Sequence, residues 1–406
     1  MINFNLAISA DSFPHQTGGE NSKPLATIAN LKHLFEKYGI TCNYDVMLKR
    51  QKIDINQGDD DGDLTNTSTL SEIMSLLSIN RLPRSTIDLL PALIAKNQIN
   101  PILDFITAKR WDKRDRIGTL LNSLAVADDD IRYKNRAVVT WLIQCVAAAD
   151  SARQTPNKEA KPKYELVLVL QGGQGLKKTS WIQSLLPREM GDYIIDGAHL
   201  DPSDKDSAIN CISGWICELG ELDATFRKSD IARLKAFLSN QTDTIRLPYD
   251  KAASSFKRRT SFCASVNPTD FLNDSTGARR FLPLAITGCN NRHNLDLQQM
   301  WAQVWDLYIG GSQWWCDDEL EKMLESRHAR HTEKSSIHEL IEDKFDITPE
   351  KDERSHHLTI TRILANAGIP TPTNKELKQA RDFLEKKGFK EMQTNGSRGY
   401  WINFKQ

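Results

Sequence analysis

The spacing of apolar residues divides the chain into regions of different character. Residues 27–39 (TIANLKHLFEKYG) carry apolar positions at helical spacing and stop at Gly39. Residues 44–55 (YDVMLKRQKIDI) read as one or two strands, 70–79 (LSEIMSLLSI) as a helix, and NFNLAIS near the start as a candidate strand. From about 100 to 150 the period is consistently helical, in NPILDFITAKRWD, RIGTLLNSLAV and YKNRAVVTWLIQCVAAAD. A polar stretch, SARQTPNKEAKPK, then separates these helices from an unbroken apolar run, Leu166 to Leu170. Such a run bounded by glycines predicts a strand buried on both faces of a parallel sheet. Beyond it the pattern predicts a helix through Trp181, Ile182, Leu185 and Leu186. Next come a short strand over Ile212 to Cys217, a helix over IARLKAFLSN, and strands at TIRLPY and SFCASV. Residues 292–330 read as helical, with Trp301, Trp305, Tyr308, Trp314 and Trp315 as packing residues. The last 70 residues predict three short helices (IHELIEDKF, LTITRILANAG, NKELKQARDFLEKKG) and a hairpin about an Asn-Gly turn in KEMQTNGSRGYWINF.

The strand at 166–170 is the element whose continuation carries chemistry. Gly172, Gly173, Gln174, Gly175, Leu176, Lys177, Lys178, Thr179 and Ser180 follow it and open a helix. Strand, glycine loop, Lys-Thr and helix is the layout of a loop that cradles a triphosphate. Glycines let backbone N–H groups curl round phosphate oxygens, and the helix adds its positive end. Lys178 would neutralise phosphate charge and Thr179 would ligate Mg²⁺, so ATP and Mg²⁺ are the expected ligands. The pattern G-x-x-x-x-G-K-[ST] has glycine where this chain has Lys177, a change of little cost if that residue keeps helical dihedrals.

Such a loop requires a carboxylate on a second strand to hold the metal and polarise water. Glu218, at the end of the strand after Gly214, and Glu221 are the candidates, with Thr179 and Glu218 as metal ligands. Farther on, Arg246, Lys251, Lys257, Arg258 and Arg259 face one acid, Asp250, giving 246–259 a local charge of about +4. This segment reads either as a solvated loop or as a DNA-contacting hairpin. Arg279 and Arg280 follow a polar turn, as fingers reaching a neighbouring subunit or as partners of a core carboxylate. Three helices followed by a hairpin is winged-helix order. Asn374 would cap its third helix, with Leu377, Ala380, Phe383 and Leu384 inward and Lys375, Lys378 and Arg381 outward; Arg398 sits at the wing tip.

Composition narrows the class. The 406 residues suffice for two or three domains, and 53 basic against 53 acidic residues leave partner choice to local charge. Seven scattered cysteines without C-x-x-C spacing argue against a zinc ribbon or a disulfide framework. With no secretory signal and no long apolar run, a cytoplasmic protein with no membrane contact is expected. GDDDGD at 58–63 lacks the ligand spacing of a calcium loop and reads as an exposed turn.

From about 100 to 290 the chain resembles the virulence-associated E family of prophages and mobile islands, AAA+-like ATPases related to superfamily 3 helicases. The strings carrying the resemblance are NPILDFITAKRWD, VLVLQGGQGLKKTSW, WICELGELDA, LKAFLSNQTDTIRLPYDK, RRTSFCASVN and TGARRFLPL. It implies nucleotide binding by Gly172–Ser180, Walker B function for Glu218 with Glu221, a sensor role for Asn267, and action in trans by Arg279 or Arg280. It also implies that the TDTIRLPYDK stretch enters the pore of a ring, expected as a hexamer. The expected fold is α/β: a three-layer P-loop AAA+-like core with a helical N-terminal region and a C-terminal winged helix. The expected division is 1–98, a helical collar at 99–155, the ATPase at 156–330 and the winged helix at 331–406. The expected activity is ATP-dependent remodelling of DNA in replication, as initiator or helicase, with single strands in the pore and duplex at the winged helix. Host replication proteins are further candidate partners. Primase activity is not expected, because residues 1–100 are short and lack an obvious carboxylate triad. The alternative is a regulator that binds nucleotide without turnover.

Overall fold

The computed structural model describes residues 6–19, 22–55, 65–126, 130–151, 163–201, 204–220, 228–245, 254–266, 278–333, 336–349, 355–394 and 396–405. Two compact units emerge: Met1–Val266 with Phe281–Trp315, and Asn267–Arg280 with Cys316–Gln406.

The first unit begins with α1 (Ile28–Tyr38), β1 (Thr41–Asp45), β2 (Arg50–Asp54), α2 (Thr65–Ile79), α3 (Leu90–Lys96) and β3 (Gln98–Ile99). Thr27 caps α1 by accepting from Asn30 N, and Gly39 ends it at φ 65°, where a side chain would be strained. The strands form a sheet in the order β2-β1-β3 over a core that includes Leu31, Leu34, Ile73 and Ile94. The β1–β2 turn fastens this subregion to the rest of the unit. Tyr193 Oη donates to Asp45 Oδ2 at 2.6 Å, Arg50 pairs with Asp192 at 2.9 Å, and buried Lys49 donates its Nζ to Ile212 O.

Next come α4 (Pro101–Thr107), α5 (Ile117–Asn122), β4 (Leu124–Val126), α6 (Ile131–Ala149), β5 (Val167–Gln171), α7 (Lys178–Gln183), β6 (Ile194–Ala198), α8 (Lys205–Ile212) and β7 (Ile216–Leu219). They are followed by α9 (Lys228–Leu238), β8 (Thr242–Ile245), β9 (Ser254–Lys257), β10 (Ser261–Val266), β11 (Phe281–Cys289) and α10 (Leu297–Ile309). Six strands form the main sheet, in the order β4-β11-β5-β10-β7-β6, all parallel except β4 at one edge. The apolar run at 166–170 therefore lies centrally, between β10 and β11, which explains its lack of alternation. Four fully buried tryptophans pack about this sheet, and each indole N–H has an acceptor: Trp141 to Phe262 O, Trp181 to Ser123 Oγ, Trp215 to Cys145 O and Trp301 to Leu185 O. Gln144 on α6 brackets Leu166 N and O, fixing where β5 enters. The segment 209–217 divides differently from its apolar pattern. Ile212 ends α8, and the strand starts only at Ile216, because Gly214 must pass against Ile195 and the Tyr193 carbonyl. RIGTLLNSLAV likewise splits into α5 and edge strand β4.

The second unit holds α11 (Asp318–Glu333), α12 (Ser336–Lys344), β12 (Phe345–Asp346), β13 (His356–Leu358), α13 (Ile360–Asn366), α14 (Asn374–Lys386), β14 (Met392–Thr394) and β15 (Ser397–Phe404). The last two strands form the expected hairpin, but β15 also pairs with β12 and β13, which are too short to leave a periodic signature. Leu377 is half-buried, and Ala380, Phe383 and Leu384 lie in this unit's core. Thr373, not Asn374, caps α14. Its hydroxyl accepts from Glu376 N while the Glu376 carboxylate accepts from Thr373 N, a reciprocal box that Asn374 cannot make one residue later. Among the described residues no helix is long and apolar enough to cross a membrane.

Candidate functional site

The glycine loop leaves the C-terminal end of β5 and meets its neighbouring strands at once. Gly172 N donates to Val266 O at the end of β10, at 3.2 Å. A Cβ on Gly172 would stand 2.9 Å from Ile286 O and 2.7 Å from Leu176 Cδ1, so backbone approach demands glycine here. A Cβ on Gly173 or Gly175 would meet nothing within 4 Å, and Gly175 has φ 87°. Gln174 is exposed, and Leu176, Thr179 and Ser180 are half-buried. Lys177 differs from expectation: its backbone is left-handed, at φ 60° and ψ 35°, and not helical. Glycine adopts this conformation freely, whereas a residue with a Cβ meets a cost of about 1–2 kcal/mol.

Lys178 and Thr179 open α7, which fully buried Trp181 anchors. Lys178 Nζ donates to the carbonyls of Gly172 and Gly173 at 2.7 and 3.0 Å, folding the ammonium back onto the loop. Thr179 Oγ1 donates to Glu218 Oε1 at 2.8 Å, across the intervening strand β10. Ser265, near the end of β10, donates its hydroxyl to the same carboxylate oxygen. Nothing in the apolar alternation of SFCASV marks Ser265; its role follows from register, since Glu218 lies opposite Cys263. Glu218 is 2% exposed. Burial raises its pKa above the ordinary carboxylate value, against the opposing pull of the Ser265 and Thr179 hydroxyls. Its second oxygen, Oε2, is buried without a hydrogen-bond partner among the described residues. A carboxylate oxygen without a donor, beside a threonine hydroxyl, is a donor set suited to a hard divalent cation that takes its other ligands from phosphate and water. Among the described residues no group of three His, Cys, Asp or Glu side chains is placed to hold a metal alone. Glu221 and Asn267 lie outside the described residues.

Of the basic stretch, Arg246 and Lys251 lie outside the described residues. β8 and β9 form an antiparallel hairpin, and Lys257 on β9 is exposed. Arg258 corrects the surface reading. It is fully buried, and its Nε and Nη2 bind both oxygens of Asp243 at 2.7 and 2.5 Å, with the guanidinium over the Phe237 ring. Such a forked ion pair holds the hairpin's root together and withdraws Arg258 from any surface contact. In the second unit Lys378, Arg381 and Arg398 are exposed, and Arg381 lies 4.0 Å from Glu391; the side chain of Lys375 lies outside the described residues. Arg279 is exposed and Arg280 half-buried, on a short 3₁₀ turn of that same unit.

The virulence-associated protein E-like domain model matches residues 106–333. No curated protein matches the chain. Among solved structures, the apo C-terminal region of NrS-1 (305–718) aligns at 15% identity with a TM-score of 0.42, covering 92% of this chain and 98% of that one. An A-form apo structure of the same region aligns at 15% identity with a TM-score of 0.39 and the same coverage. The family match spans more than half of the 406 residues and contains the glycine loop, Glu218 and both arginines, so this chain belongs to the virulence-associated protein E-like family.

Proposed function

We propose that the chain is a DNA-binding, Mg²⁺-dependent ATPase of the P-loop AAA+-like type, acting as an initiator or helicase in replication of a phage or mobile element. The observation that carries this reading is the 2.8 Å bond between Thr179 Oγ1 and Glu218 Oε1. It joins the head of the glycine-loop helix to a carboxylate two strands away, which a simple strand-to-helix turn has no need of. The sheet order supports the reading too, with the loop strand β5 central and β10 between it and β7.

In this proposal Gly172–Ser180 wrap the phosphates, and Lys178 leaves the Gly172 and Gly173 carbonyls for phosphate oxygens. Thr179 and Glu218 would hold Mg²⁺, which when bound neutralises charge on the phosphates. Glu218, with Glu221, positions water for in-line attack, and Ser265 keeps the Glu218 carboxylate aimed. Phosphoryl transfer needs positioning and charge neutralisation more than covalent chemistry, and these groups supply both. Asn267 as sensor, Arg279 or Arg280 acting in trans, a hexameric ring, and a winged helix over 331–406 with Lys378, Arg381 and Arg398 facing duplex DNA belong to the same proposal. A second reading, nucleotide binding without turnover, draws on Lys177 in a left-handed position and on the back-bonded Lys178. Measured ATP hydrolysis separates the two. Lys178→Ala should abolish turnover of a hydrolysing wild type, and unchanged hydrolysis would refute the site.

A further inference from the structure

The segment between α4 and α5 is built more firmly than a connecting loop requires. Three glutamines on one face of α10 hold its backbone. Gln298 Nε2 donates to the carbonyls of Phe105, Ile106 and Lys109. Gln299 accepts from Asp112 N at 2.8 Å and donates to Arg110 O at 3.1 Å. Gln303 accepts from Arg116 N and Ile117 N at 2.7 and 3.0 Å and donates to Asp115 Oδ1 at 2.8 Å. Within the loop, the Trp111 indole donates to Arg114 O, and Lys113 adopts a left-handed φ of 68°.

The charges in this loop are sorted by sign. Both acids face the loop itself. Asp112 binds Arg116 through both oxygens, at 2.6 and 2.9 Å, and also accepts from Arg114 N. Asp115 accepts from Gly118 N and Gln303. Their pKa values are lowered by these donors, so both stay ionised and committed inward. Among the cations, Arg116 is tied to Asp112 and Lys113 to Asp306 at 3.0 Å. Lys109 and Arg110 are exposed with no ion-pair partner among the described residues. The Arg114 side chain is 84% exposed and lies 3.9 Å from an Asp112 already held by Arg116.

We infer that this loop is a preorganised contact for the phosphate backbone of nucleic acid, made by Lys109, Arg110 and Arg114. A fixed backbone removes much of the ordering cost of binding, and guanidinium forks match phosphate oxygens. Three outward cations, with Asp112 and Asp115 turned to donors of the loop and of α10 and Asp306 held by Lys113, favour a polyanion. The inference deepens the DNA-binding part of the proposed function and is independent of its nucleotide chemistry. The loop lies apart in sequence from both the β8–β9 hairpin and the C-terminal unit.

The test is a titration of labelled oligo-dT, and of a random-sequence duplex, without ATP, at several salt concentrations. The chains compared are wild type, Arg110→Ala/Arg114→Ala, Arg110→Lys/Arg114→Lys and Lys378→Ala/Arg398→Ala. The salt slope of log affinity on the single strand should fall by about 1.4 in the loop alanine variant, at about 0.7 for each phosphate no longer neutralised, and be restored in the lysine variant. A loop alanine variant matching wild type at every salt concentration, while wild type binds, overturns the loop contact alone. Wild type that binds neither probe overturns the DNA reading and the loop contact together, leaving the ATPase assignment standing. Competition by polyglutamate as strong as by oligo-dT would give the patch to an acidic protein and overturn the nucleic-acid assignment.

Discussion

Two loops of the first unit each place a lysine in the left-handed region, and they are built by opposite means. Gly172–Ser180 owes its path to glycines. From Gly172 to Leu176 the only backbone hydrogen bonds among the described residues are Gly172 N to Val266 O and the two carbonyls that accept from the Lys178 ammonium; the ties beyond are those of the opening helix and the Thr179 hydroxyl on Glu218. The loop from Lys109 to Ile117 has no glycine, and distant side chains on α10 hold it. The first keeps backbone groups accessible, so a ligand can be recognised by the main chain. The second has its backbone already engaged, so only its outward side chains can recognise anything. A phosphate cradle and a charged contact surface are the natural uses of the two constructions.

Breaking the scaffold should have the largest effect, and only in one loop. Gln303→Ala leaves Arg116 N and Ile117 N without their acceptor, at about 1–3 kcal/mol for each buried group left unpaired, and takes from Asp115 one of its donors, Gly118 N remaining. Chemical denaturation should show a loss of a few kcal/mol. Amide exchange should accelerate across 109–117 and stay unchanged at 172–180; equal protection of both loops in the variant would dismantle the contrast.

A third left-handed lysine, Lys49 at φ 54°, is buried rather than displayed and serves as the reference for what burial does to such a residue. Removal from water lowers its pKa to about 7, against partial relief from Asp243 and Asp45 and further opposition from Arg258 and Arg259. Above pH 7 the unfolded chain keeps a proton that the folded chain has released, up to the ordinary lysine value. Folding stability should therefore rise with pH from about 7 toward 10, by at most about 1.4 kcal/mol per unit, and the penalty is complete below 7. Lys49→Met should remove that slope in denaturation curves taken between pH 6.5 and 9. A variant with the wild-type slope would mean that Lys49 is not its source.

The smallest effect is the sharpest comparison. Lys177→Gly and Lys113→Gly each relieve a left-handed side chain, worth about 1 kcal/mol before the added freedom of the unfolded chain is set against it. ATP turnover should respond to Lys177→Gly alone. Salt-dependent DNA binding should respond to neither, because Lys113 is already paired with Asp306. Turnover that shifts equally in both variants would show that the two loops are not functionally separate.

The same contrast explains what could be read from the chain. The glycine loop was legible because its determinants are local: an apolar run, three glycines, Lys-Thr and a helix within 21 residues, 166–186. Glu218 was legible as the end of a second strand, but Ser265 was not, because only strand register brings it to Glu218. The family resemblance was likewise local, and the family match over 106–333 contains most of the strings that carried it. The firmness of 109–117 was invisible, since its supports lie almost 190 residues away on a helix whose glutamines look like solvent-facing polar positions. Arg258 misled for a related reason. A run of cations reads as surface, and only the fold shows that Asp243, 15 residues earlier, draws one of them inside. The two- and three-residue strands β12 and β13 are too short for any alternation to register.

The central claim is that Thr179 and Glu218 make one metal-bearing nucleotide site with the glycine loop. The most direct measurement is calorimetric titration of a non-hydrolysable ATP analogue, with and without Mg²⁺, into wild type and Thr179→Val. Wild type should bind at least about tenfold more tightly with Mg²⁺ present, a difference of about 1.4 kcal/mol, and the variant should lose that gain. Mg²⁺-dependent tightening that survives intact in Thr179→Val, or wild type that binds no analogue in either condition, would contradict it.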